Sequence, residues 1–249
     1  ASTNIGTGTL SATVDSNDDG ANILLVSGSP TAGAITLSGG GTGTTDTIDI
    51  DANVTATTGA LTLKDAVAVD VAANIALSGA SVVATDDIGT IDLSGAGTNT
   101  VTSTAGDVSL NTITDSAAAN LSISSTANVT LAAVTLDQGG AGVLSVTADD
   151  DDNTVGATLA AGGVINVTGA ASLAGGTDND EFIDVDADVT AGGALTLSGG
   201  SVDLAADVDL TGLSVTADAA TSISSINLSG AGTNIVTGTG GSVSIADVT

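Results

Sequence analysis

One segment of this 249-residue chain occurs twice. Ile91-Asp-Leu-Ser-Gly-Ala-Gly-Thr-Asn99 returns as Ile226-Asn-Leu-Ser-Gly-Ala-Gly-Thr-Asn234. Shorter matches flank it: Leu10-Ser11 with Leu144-Ser145, Val54-Thr55 with Val189-Thr190, and Gly59-Ala-Leu-Thr-Leu63 with Gly193-Ala-Leu-Thr-Leu197. The period is about 135 residues, so residues 1–134 form a first copy and 135–249 a second, incomplete copy continuous with it. The offset changes by one residue between the Leu61/Leu195 and Ile91/Ile226 matches. Tandem copies constrain the fold, because each unit becomes the packing partner of the next. They predict nearly one backbone for 10–114 and 144–249, with equivalent strands on equivalent faces.

Within each copy, short segments read apolar, small or polar, apolar: Leu61-Thr-Leu63, Ile75-Ala-Leu77, Val108-Ser-Leu110, Leu121-Ser-Ile123, Val129-Thr-Leu131. That is the period-2 pattern of a strand with one buried face. Gly, Asn, Asp and Ser breaks separate the segments and suit tight corners. No window carries a capped helical stripe. Leu61, Val82, Val101 and Leu121 are spaced by about 20 residues, which gives three short faces per turn. The expectation is an all-β, right-handed parallel β-helix, or β-solenoid, of about 12 rungs and about 20 residues per rung. Leu61, Leu63, Leu93, Val108, Leu110, Leu195, Leu197 and Leu228 should point inward. An immunoglobulin-like sandwich would want longer strand spacing and a core aromatic.

Phe182 is the only aromatic residue and Lys64 the only basic one; His, Cys, Met, Trp and Tyr are absent. The interior must therefore be Val, Ile, Leu and Ala. The formal charge of −28 has nothing in the chain to balance it. Nucleic acid is excluded as a partner, because phosphate binding needs Lys and Arg. An anionic membrane surface is excluded on the same ground, and no apolar run reaches the length of a membrane helix. Lacking His and Cys, the chain has no ordinary catalytic base or thiol nucleophile. Its carboxylates lack the aromatics that sugar cleavage uses, and neither Phe182 nor Lys64 recurs in the other copy, where Thr47 and Ser198 stand. No enzymatic activity is expected.

Two acidic groups stand out. Asp15-Ser-Asn17-Asp-Asp19-Gly20 has the spacing that opens a calcium loop, and Asp149-Asp-Asp151-Asp-Asn153 keeps it in the second copy. Oxygens at alternate positions can converge on one hard cation. It is no EF-hand: Val26 stands where the bidentate Glu would be. The expected calcium ligands are Asp15, Asn17, Asp19, Asp149, Asp151 and Asn153. The second group, Asp46, Asp49 and Asp51, is matched by Glu181, Asp184 and Asp186 and reads as a solvated face. Gly175-Gly-Thr-Asp-Asn-Asp180 is weakly similar to the calcium repeats of RTX proteins. Asn53, Asn120, Asn128, Asn166 and Asn227 sit in glycosylation contexts, and Thr98, Thr100, Thr102 and Thr104 suggest a hydroxyl ladder of the ice-binding kind.

Runs such as Gly193-Ala-Leu-Thr-Leu-Ser-Gly-Gly-Ser-Val-Asp-Leu204 resemble the degenerate repeats of filamentous-haemagglutinin-type adhesins and other giant β-strand-repeat surface proteins. The resemblance is one of style and covers the whole chain. That family's amino-terminal secretion domain, with its Asn-Pro motifs, is not visible. The resemblance implies secretion across an outer membrane and a rod-like shape, without naming a ligand or receptor. Together with the acidity and the missing cysteines, it points to the outside of a prokaryotic cell. The chain opens at Ala1 in mid-pattern with no visible signal peptide, as a processed protein or a window of a longer one would. The expected function is a structural segment of a surface adhesin or filament, stacking end to end with copies of itself. A calcium-dependent surface-layer lattice is the alternative and an ice-binding solenoid the minor one.

Overall fold

A computed structural model describes residues 3–16, 20–40, 45–151, 156–176, 181–218 and 221–249. Short strands follow one another around a thin aliphatic interior. Each pairs in parallel with the strand one turn earlier and the strand one turn later. The result is a parallel β-solenoid of three sheets and about 9 turns. No pairing among the described strands is antiparallel, which removes the sandwich.

The register fixes the three faces. On the first, Ile35, Leu61, Val82, Val108, Val129, Leu159, Ile183, Val202 and Ile226 stack in one column. On the second, Ile48, Val69, Ile91, Ile113, Val134, Ile165 and Val189 do the same. On the third, Leu121, Leu144, Ala171, Leu195 and Val215 follow one another. All of these are buried. Alternation explains the result: in a strand every second side chain turns inward, and equal register keeps like over like. Each fully buried Val, Leu or Ile contributes about 1.5–3 kcal/mol, so a core without aromatics suffices when every turn repeats it. The strands Leu61–Val71 and Val82–Leu93 run unbroken around one corner and join the first two faces.

Turn length is not constant at 20. Val202 follows Ile183 by 19 residues in its column, whereas Leu159 follows Val129 by 30. The extra residues sit in the corners, because strand register leaves no room for them. The chain therefore makes about 9 turns, fewer than a fixed short period implies. At about 4.8 Å per turn the stack is about 43 Å long.

Seven of the eight inward expectations are met; Leu228 is 43% exposed. It stands over Leu204 in register; the 247–249 segment pairs with its strand, bridging Ile226 to Val248 and accepting the Leu228 N–H at Thr249, but leaves the side chain uncovered. The sole aromatic, Phe182, points outward on the first face.

The two copies do not share faces. Leu61 lies on the first face and its counterpart Leu195 on the third. Val54 lies on the third and Val189 on the second; Ile91 lies on the second and Ile226 on the first. From Leu61 the first-face column runs through Val82, Val108, Val129 and Leu159 to Ile183, and Leu195 lies two faces further on. One copy thus occupies five turns and two thirds.

Local packing explains how a repeat can be out of phase with the helix that carries it. The Ser-Gly-Ala-Gly-Thr-Asn corner does the same work in both copies. Gly95 sits against Ala73, and Gly230 against Ala206, so closely that a Cβ would collide with backbone. Thr98 N–H donates to Asn74 Oδ1 at 3.2 Å, and Thr233 N–H to Asp207 Oδ1 at 2.9 Å. Asn99 Oδ1 accepts from Ile75 N–H at 2.8 Å, and Asn234 Oδ1 from Val208 N–H at 3.3 Å. Each corner reads only the turn beside it, so any of the three edges serves.

Candidate functional site

The acidic residues divide by parity along their strands. Asp49 alternates with Ile48 and Ile50 and faces out; Asp46 is in phase with those isoleucines and faces in. The second copy repeats this with Glu181 in phase with Ile183 and Val185 and Asp184 facing out. Asp46 and Glu181 are both 0% exposed, so the solvated-face reading fails for them and holds in outline for Asp49, Asp51, Asp184 and Asp186. The physical reason is register: the strand begins one residue after the acid, and its inward phase already includes it.

Asp15 ends its strand on the first face and is buried, as is Asp149. The structure joins Asp15 to Asp46, which the sequence treats as separate groups. Asn22 spans the two: its N–H donates to Asp46 Oδ1 at 2.7 Å, and its Nδ2 donates to Asp15 Oδ2 at 3.0 Å. Gly40 stands in the left-handed region at φ 152° and pairs with Asp15. A Cβ there would collide with the Asp15 carbonyl and lie 2.7 Å from Asp46 Oδ2. In the second copy Gly176, at φ 136°, stands the same way: a Cβ would lie 3.0 Å from Glu181 Cδ and 3.4 Å from Asp149 Cβ. A cleft of about 270 Å³ lies alongside, lined by Thr147, Asp149, Asp150, Gly176, Ser198 and Thr221 among others.

Of the expected calcium ligands, Asp15 and Asp149 therefore sit in buried corners and Asp151 is exposed. Asn17, Asp19 and Asn153 lie outside the described residues. Among the described residues no three His, Cys, Asp or Glu side chains form a metal-binding group. The signal for Asp46 and Glu181 was in the alternation; nothing in the pattern marks Asp15 and Asp149, which break phase at a corner.

The outward acids stack. Asp49, Asp70 and Asp92 occupy one column of the second face, and Asp184 and Asp203 one of the first. Burial, then Asp51 and Asp70, raise the Asp49 carboxyl above its ordinary 3.8. Burial, then Asp186 and Asp203, do the same for Asp184. Lys64 is 3.0 Å from the Asp65 carboxylate.

The third face is different. Its strands contain no Asp, Glu, Lys or Arg, and Thr100, Ser122, Ser145, Ser172, Thr196, Thr216 and Ser244 form one outward column. The hydroxyl ladder runs across the turns, where comparison of the two copies does not reveal it.

Fold and corners define the class: a parallel β-solenoid with two buried acidic corners. Compared with protein-family models, curated proteins and solved structures, the chain matches none. No helix among the described residues is long and apolar enough to cross a membrane.

Proposed function

We propose that the chain is a structural segment of an extracellular prokaryotic adhesin or filament, that it has no enzymatic activity, and that it stacks end to end. The observation that carries this is the state of the last strands. Leu228, Val243 and Ile245 hold inward register positions over Leu204, Val215 and Ala217, yet each is more than 40% exposed. At the other end Leu10, Ala12 and Leu24 are only partly covered. Open parallel edges over an apolar interior favour pairing with more strands of the same kind. Further turns of a longer chain or a second copy would cover them equally well. Two of the three sides carry acid ladders, so growth along the axis meets less repulsion than contact through those sides.

Sedimentation and negative-stain imaging over a range of concentrations test this. Linear particles that lengthen with concentration are expected. A monomer of 23.2 kDa at every concentration would sink the axial reading, and two-dimensional sheets would favour the surface-layer lattice. The hydroxyl column of the third face supports the ice-binding alternative, for which thermal hysteresis is the direct assay.

A further inference from the structure

We propose that the two acidic corners each hold a calcium ion: Asp15 with Asp46 in the first copy, and Asp149 with Glu181 in the second. The first corner supplies the argument. Asp46 is fully buried, and only one of its oxygens is engaged by Asn22. Oδ2 is buried and accepts no hydrogen bond from the described residues. A buried carboxylate oxygen left so costs stability, because the water it gave up is not replaced. Gly40, by having no Cβ, lets that oxygen and the Asp15 carbonyl come close to one another. Asn22 holds both carboxylates in place from one side, donating to each. No basic side chain among the described residues reaches this corner. The chain has one basic residue, and Lys64 is engaged with Asp65.

The second corner repeats the pattern with a change of residue. Glu181 replaces Asp46 and is equally buried; Asp149 replaces Asp15; Gly176 replaces Gly40. The acid is kept although its length changes. A corner that needed only to turn would have no use for two inward carboxylates. Hard oxygen ligands without any His or Cys select calcium or magnesium over zinc and copper. Calcium is favoured because its shell of six to eight oxygens is loose enough to accept both Asp and Glu versions, whereas magnesium demands a near-ideal octahedron. Water completes the shell in each corner. The ion would join two successive turns at an edge, beside the last ladder pair, Asp15 with Gly40. This inference is independent of axial stacking: a monomer would bind both ions equally well.

Calcium binding to the full chain, measured by equilibrium dialysis, should give two ions per chain. Asp46→Asn and Glu181→Gln should each leave one, and the double variant none. Asp92→Asn, on the open second face, should keep two. Two ions retained in Asp46→Asn and Glu181→Gln, or no binding to the unaltered chain, would overturn the assignment. Should a variant fail to fold, hydrogen exchange of the unaltered chain decides. Calcium against chelator should slow exchange around 13–16, 45–48, 147–150 and 181–184. Protection spread evenly along the faces, or none, would refute the two corners.

Discussion

At the scale of single residues, charge is handled by parity. An outward Asp over another Asp, one turn away in register, meets like charge at the closest spacing a sheet allows. Asp49 over Asp70 and Asp184 over Asp203 are such pairs. Their raised carboxyls mean that the folded chain binds protons more readily than the unfolded one. Stability therefore falls as pH rises from the ordinary value of 3.8 through the raised one, and the full cost is present above it. Asp49→Asn and Asp184→Asn should each stabilise the protein at neutral pH by about 0.2–1 kcal/mol, and the gain should vanish below the ordinary carboxyl range. Urea melts at both pH values check this. A loss of stability at neutral pH would show that these acids bind something favourable there. The outward phase of Asp49 was legible in the sequence, and so was the inward phase of Asp46, because both follow from counting by two. The corner residues Asp15 and Asp149 were not, since a chain that turns resets the count.

At the scale of the strand, burial depends on having a neighbour above and below. Leu159 lies between Val129 and Ile183 in its column and is fully covered; Leu228 has Leu204 on one side and on the other only the backbone of Thr249, and is 43% exposed. Leu159→Ala should cost about 2–5 kcal/mol through lost transfer energy and a cavity. Leu228→Ala should cost well under half of that. Equal losses in thermal or urea melts would mean that the end strands are covered in solution. Sequence alternation predicted Leu228 inward; its register is inward, over Leu204, but the side chain is not buried. What alternation cannot carry is the number of turns, because that depends on how many residues each corner absorbs. The spacing of about 20 residues holds for some turns, such as Leu61 to Val82, and fails for others, such as Val129 to Leu159. Val67 shows the same limit on a smaller scale. The left-handed Asp65 just before it shifts the phase, so that Ala66 is buried and Val67 exposed.

At the scale of the whole molecule, a net charge of −28 is concentrated on a thin rod with a single ion pair among its described residues. Repulsion within the folded chain should outweigh any attraction that salt could weaken. Raising sodium chloride from about 0.01 M to about 0.15 M shortens the screening length from about 30 Å to about 8 Å. The melting temperature should therefore rise over that range, in the absence of divalent ions. A fall would contradict the charge distribution described for the first two faces. The copies themselves were legible at this scale, but their phase was not. Sequence identity reports which corner packs on which, and all three edges of a three-faced helix offer the same seat.

That phase governs how a chain of this kind would meet a flat partner. Each added copy would advance by five turns and two thirds, so the first bearing would return only after three copies and seventeen turns. At about 4.8 Å per turn, this is a spacing of about 80 Å. A wall or sheet lying alongside would find one copy in three within reach. Valency would then grow with every third copy, and a ligand linking two adjacent copies would have to bend around an edge to do so.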